Sequence, residues 1–168
     1  MNTHPPDEND GRHDFDFIFG DWVIRNRKLH DVSDPDCTEW IAFDTTSHAE
    51  PILGGLANIE RIVCGSHSPG GAWEGFTLRQ FDPGQRRWRI WWASTKNPGR
   101  LDPPLSGRFH DGIGEFTGAD TLAGRPIKVR FHWTIAASGK PRWTQAFSYD
   151  DGRTWQANWS MDFSIAGR

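Results

Sequence analysis

Four polar residues stand where the strand period would set them among apolar side chains. Asn58 and Glu60 share phase with Leu56 and Ile62, Arg79 shares phase with Phe81, and Asp44 follows Trp40 and Ala42. Residues two apart in a strand lie on one face, so each of the four is a candidate for the inside of a sheet structure. A buried polar group needs partners. The four therefore either satisfy one another within a core or orient a ligand in an apolar pocket. The side of Asp44 stays open, because Ile41 and Phe43 make the opposite face of its strand equally apolar. Two chemistries follow. One is binding of a small, mostly apolar or aromatic molecule, with Asn58, Glu60, Arg79 and Asp44 as the polar contacts. The other is cofactor-free isomerase, cyclase or hydrolase catalysis. There a carboxyl in an apolar cavity, Glu60 or Asp44, would serve as acid or base and Arg79 would stabilise an anion.

Other chemistries find little support. The seven His (His4, His13, His30, His48, His67, His110, His132) form no His-x-His or His-Glu-x-x-His spacing, and Cys37 and Cys64 form no Cys-x-x-Cys, so no metal site and no cofactor are expected. Asp44 and His48 are separated by about 13 Å of strand, too far to hydrogen-bond directly. A nucleophile elbow, a phosphate loop and a dinucleotide fingerprint are missing. Arg86-Arg-Trp-Arg-Ile-Trp-Trp92 interleaves cations with aromatics, as single-strand nucleic-acid platforms do. With a formal net charge of −3 the same run reads as Arg outside and Trp inside a barrel strand, and no nucleic-acid partner is expected. Ser148-Tyr-Asp-Asp-Gly-Arg-Thr-Trp155 fits the Asp-box turn of sialidases, a structural hairpin remote from sugar chemistry.

The elements that must position these residues are almost all strands. Phe15, Ile18 and Phe19 allow one helical turn, with Asp14 as N-cap and Gly20 ending it. Strands are expected near 21–30, 38–49, 56–63, 74–81, 86–94, 104–110, 113–118, 126–136, 141–149 and 154–164, with Gly, Pro, Asn and Asp at the joints. Asp111-Gly112 and Asp151-Gly152 favour tight hairpins. Val129, Phe131, Trp133 and Ile135 share a face, as do Trp88, Ile90 and Trp92, and Trp155, Ala157, Trp159, Met161 and Phe163. About ten sequential strands with one apolar face each predict an all-β fold, a single antiparallel up-and-down barrel, with a two-sheet sandwich as the alternative. Trp40, Trp88, Trp92, Trp133 and Trp143 are candidates to line its lumen. Trp91, set among Arg87 and Arg89, is an exposed-aromatic candidate for a homodimer contact.

One domain accounts for the 168 residues: a polar 1–12 tail expected to be disordered, then a barrel over 13–168. Two cysteines make no disulfide framework, no secretory signal opens the chain and no run is long and apolar enough to span a bilayer, so a cytoplasmic protein without a membrane partner is expected.

Gly20-Asp21-Trp22, opening the first strand after a helical turn, resembles the Gly-x-Trp signature of the lipocalin/calycin superfamily. Asp14–Trp22, Leu53–Asn58, Leu101–Pro104, Trp143–Ser148 and Trp159–Asp162 are similar to bacterial lipocalin-like proteins of the DUF1579 group, whose activity is unassigned. The resemblance implies that Trp22 closes the narrow end of a barrel and that a ligand sits toward the opposite mouth. The lack of a signal, of paired Cys and of a C-terminal helix is closer to ten-stranded barrels of the fatty-acid-binding and nitrobindin type. Nitrobindin-like barrels hold haem through a His on a late strand. The last two strands here have none, and His132, one strand earlier, shares its face with Lys128 and Arg130, so haem binding stands as a further alternative that needs a His inside the lumen.

Overall fold

The computed structural model describes residues 9–167. Ten strands follow one another: β1 (Gly20–Leu29), β2 (Trp40–Ile52), β3 (Ala57–Cys64), β4 (Trp73–Asp82), β5 (Arg87–Ser94), β6 (Leu105–His110), β7 (Ile113–Leu122), β8 (Arg125–Ile135), β9 (Pro141–Ser148) and β10 (Gln156–Ile165). Each pairs antiparallel with its sequence neighbours, and β1 closes on β10 from Trp22↔Ile165 to Lys28↔Trp159. The fold is thus a closed up-and-down barrel with no free sheet edge. No helix among the described residues is long and apolar enough to cross a membrane.

Alternation drives the closure. Trp22, Ile24 and Asn26 of β1 point inward, and so do Val129, Phe131 and Trp133 of β8; the intervening charged residues face out. At Ala123-Gly124 both residues have positive φ, which a two-residue hairpin requires to match strand twist.

The expected helical turn is a 3-10 turn, Asp16–Ile18, that plugs one end of the barrel. Asp14 does not cap it; Phe15 holds the cap position with no side-chain bond. Phe15 and Ile18 are completely buried, Trp22 donates its indole N–H to the Ile18 carbonyl (2.7 Å), and Trp88 donates to the Gly11 carbonyl (3.0 Å). Of the expected tail, residues 1–8 lie outside the described residues, while Asp10–Arg12 is held by Arg12–Asp10 bonds against this plug.

Two further details depart from expectation. A register shift between Ala157 and Trp159 leaves Ala157 exposed and turns Asn158 inward, where it accepts a bond from Gln145 (2.9 Å). Strict alternation from Trp155 therefore fails at the bulge. The Asp151-Gly152 hairpin is also wider than expected, because Asp150 organises the whole β9–β10 loop by accepting from the Thr154 amide and hydroxyl and from the Ser148 hydroxyl. These bonds hold the Asp150 carboxyl down at about 2, since each favours the ionised form.

Candidate functional site

The site is built on β3 and β4. Asn58 stands directly opposite Arg79, and Glu60 is two residues further along β3, on the same inward face. That register puts both within reach of one guanidinium. Arg79 Nη1 donates to Asn58 Oδ1 (3.0 Å) and Nη2 to Glu60 Oε2 (2.5 Å), with the three residues at 1–2% exposure. The guanidinium packs against the Phe15 ring of the plug (5.0 Å) and Trp133 of β8 (5.4 Å), two rings that meet each other edge to face. The plug therefore forms the underside of the site.

Not every polar atom is matched. Glu60 Oε1, Arg79 Nε, Asn58 Nδ2 and Ser47 Oγ are buried with no hydrogen-bond partner among the described residues. Asn26 shows the contrast: its amide accepts from the Trp159 indole (2.9 Å) and donates to Thr45 (3.0 Å), a satisfied core link. An unmatched buried polar atom costs about 1–3 kcal/mol, so a cluster of three such residues is a poor purely structural choice.

Beside this floor the lumen holds a cavity of about 100 Å³. Its wall is apolar: Ile62, Ile90, Leu105, Val129, Phe131 and Trp143 among others, with Glu60, Thr77, Arg79 and Gln145 the inner polar groups. The mouth end is narrowed by Trp73, Trp92 and Trp159, whose rings meet edge to face at 6.1–6.3 Å. Trp92 lies against Gly75, where a methyl group would come within 2.0 Å of the indole. On one side β5 and β6 share only three paired positions, and the segment beyond them reaches the rim. There Arg100 ties Asp102 (3.0 Å) to Asp120 (2.7 Å), both at the cavity edge. Lys28 sets its ammonium 4.2 Å over Trp159 and pairs with no carboxylate among the described residues. Desolvation, helped by nearby Lys96, pushes its amine below the ordinary lysine range.

Asn58, Glu60 and Arg79 are thus brought together, and Trp92, Trp133 and Trp143 line the cavity beside them. Trp88 is inward but packs into the plug rather than the cavity. Asp44 and Trp40 belong to the outer face. Asp44 pairs with Arg25 across the surface (3.0 Å) and Trp40 is covered by Arg27 (4.6 Å), because β2 turns Phe43, Thr45 and Ser47 inward instead. Glu60 is not a solitary carboxyl in an aromatic cavity, as an acid/base role supposed, but half of an ion pair. His132 is outside, bound to Glu115 (2.8 Å), and no described His lines the lumen. Trp91 is half-buried on the outer face, across from Leu78. Trp73 and Trp159 were missing from the expected lining. The phase of Arg79 and Phe81, extended back through Gly75, does reach Trp73; Trp159 shared a predicted face with Met161 and Phe163.

No family model and no curated protein sequence matches the chain. Among solved structures it is similar to Rv2717c from M. tuberculosis, with a TM-score of 0.57 and 9% identity over 89% of this chain and 92% of that one. At that identity the likeness is one of fold: both chains close nearly their whole length into the same kind of barrel.

Proposed function

We propose that this protein binds a small, mostly apolar or aromatic molecule in the barrel lumen, between the Trp92–Trp159 side and the Glu60–Arg79–Asn58 floor. One observation carries the reading. An apolar cavity ends on the fully buried Glu60–Arg79 pair, which among the described residues still has an unmatched acceptor at Oε1 and an unmatched donor at Nε. Apolar walls contribute about 25 cal/mol per Å² of ligand surface removed from water, and the pair would fix orientation. The lipocalin-like assignment is supported by Trp22 at the closed end, its indole bonded to the plug turn.

Titration calorimetry with a panel of one- and two-ring aromatics and medium-chain alkyl compounds tests this. Binding is expected for part of the panel, accompanied by a change in Trp fluorescence. Val129→Phe, which fills the lumen, is expected to abolish it while the far-UV circular dichroism of the barrel persists. A panel without binders, or binding that survives Val129→Phe, refutes the lumen as the site.

A further inference from the structure

The floor of the cavity contains one cation and one anion, already joined. Arg79 commits its two terminal nitrogens to Asn58 and Glu60, at 3.0 and 2.5 Å. The Phe15 and Trp133 rings, perpendicular to each other and 6.0 Å apart, pack beside the guanidinium at 5.0 and 5.4 Å, so its charge is already shared among a carboxylate and two ring faces. Among the described residues its Nε finds no partner, and neither do Glu60 Oε1 and Asn58 Nδ2. Glu60 and Arg79 line the cavity and Asn58 lies behind them, so the lining contributes one unmatched carboxylate oxygen and one unmatched Nε–H, in a floor whose formal charges cancel.

We infer that the lumen ligand is electrically neutral and presents a hydrogen-bond donor beside an acceptor, as a primary or cis carboxamide, lactam or imide edge does. This deepens the lumen-binding reading above and rests on it. The ligand N–H would donate to Glu60 Oε1, and its carbonyl would accept from Arg79 Nε. A carboxylate of the same shape has no proton for Glu60 and would bring a second negative charge beside a buried carboxylate, which low-polarity surroundings penalise heavily. An ester keeps the acceptor but lacks the donor, and would leave Glu60 Oε1 unmatched. Lys28 does not alter this balance at the floor, since it sits at the mouth over Trp159, outside the cavity lining.

Three nearly isosteric ligands separate the possibilities in the unaltered protein: naphthalene-2-carboxamide, naphthalene-2-carboxylate and methyl naphthalene-2-carboxylate, with benzamide, benzoate and methyl benzoate run alongside for size. The expected result by calorimetry at pH 7 is that the amide binds at least tenfold more tightly than either the carboxylate or the ester, and that Val129→Phe abolishes it. A carboxylate or an ester that matches the amide, with binding lost in Val129→Phe, overturns the ligand class and leaves the lumen reading standing. No binding by any of the six, or amide binding that survives Val129→Phe, overturns this inference. If the aromatic and alkyl panel also finds no binder, the lumen reading falls with it. Glu60→Gln supplies a second readout, because it removes the anion and leaves Arg79 uncompensated. The carboxylate is then expected to gain at least tenfold over its wild-type affinity, and no gain in a folded Glu60→Gln protein counts against the inference. Should that variant not fold, the wild-type comparison decides alone.

Discussion

Breaking the Glu60–Arg79 pair tests whether the floor behaves as one desolvated unit. Both side chains are almost wholly shielded, at 1% and 3% exposure, so neither charge can turn to water when its partner is removed. Losing one member of a buried pair costs about 3–5 kcal/mol, mostly the penalty of the charge left behind. Arg79→Met and Glu60→Leu are each expected to fall in that range. For a chain of this size that lowers the melting temperature by roughly 6–20 °C. Replacing both should cost far less, since two apolar side chains in place of a buried ion pair are often neutral or stabilising. The introduced methionine would place a polarisable thioether beside the Phe15 and Trp133 rings that now meet the guanidinium. The double variant is therefore expected within about 1 kcal/mol of wild type or above it, giving a coupling of several kcal/mol. Urea unfolding followed by both Trp fluorescence and far-UV circular dichroism measures all four proteins. Single variants that each cost less than about 1 kcal/mol, as exposed pairs do, or a double variant as unstable as the sum of the singles, would refute this account.

Three other perturbations bear on neighbouring parts of the structure. Gly75→Ala puts a methyl 2.0 Å from the Trp92 ring, so it should cost about 1–3 kcal/mol by overpacking and change the near-UV circular dichroism of the Trp cluster; an unchanged spectrum and stability contradict the close approach. Asp150 is held down at about 2 by the bonds from Thr154 and Ser148, so its contribution to stability is complete above the ordinary carboxyl value of 3.8 and disappears as pH falls through about 2. Asp150→Asn should melt below wild type at pH 6, and the gap should close between pH 4 and pH 2; a constant gap shows that ionisation is not the cause. His48 is raised above 6.5 first by its bond to Asp21 (2.8 Å), with Glu50 assisting, so what it adds to stability is present at low pH and lost as pH rises through its folded value. An NMR titration should show that raised value returning toward the ordinary one in Asp21→Asn, and no response in that variant removes Asp21 as the cause.

The barrel was readable because its determinants are local and repeated. Period-two alternation in 126–136 and 86–94, with Gly and Asp at the joints, leaves few ways to hide ten apolar faces except closure. What escaped is what one residue can reverse. The bulge at Ala157 turns Asn158 inward, and no residue type in Gln156-Ala157-Asn158-Trp159 announces it. Asp44 failed for a related reason. Both faces of its strand carry aromatics, Trp40 on one and Phe43 on the other, and the choice falls to the neighbouring strands. Phe43 finds Trp73 inside, whereas Trp40 finds Arg27 outside. Periodicity placed Asn58, Glu60 and Arg79 individually, but their union depends on the β3–β4 register, which a single strand cannot reveal.

That union also explains why the closed end and the candidate site are one construction. Trp22 bonds the Ile18 carbonyl and so holds the 3-10 turn in the barrel end. The turn carries Phe15, whose ring packs edge-on against Trp88 and lies over Arg79. Arg79 in turn reaches Asn58 and Glu60. A long, flexible side chain loses up to about 2 kcal/mol of rotamer freedom when fixed, and here the fixing is done by rings already buried for closure. The plug thus sets the floor's geometry before any ligand arrives. Pre-organisation of that kind matters most for a neutral ligand, which brings no strong charge of its own with which to reshape the site. A loose arginine would be free to meet an anion; a clamped one, already paired, favours a partner whose donors and acceptors fit the gaps that remain.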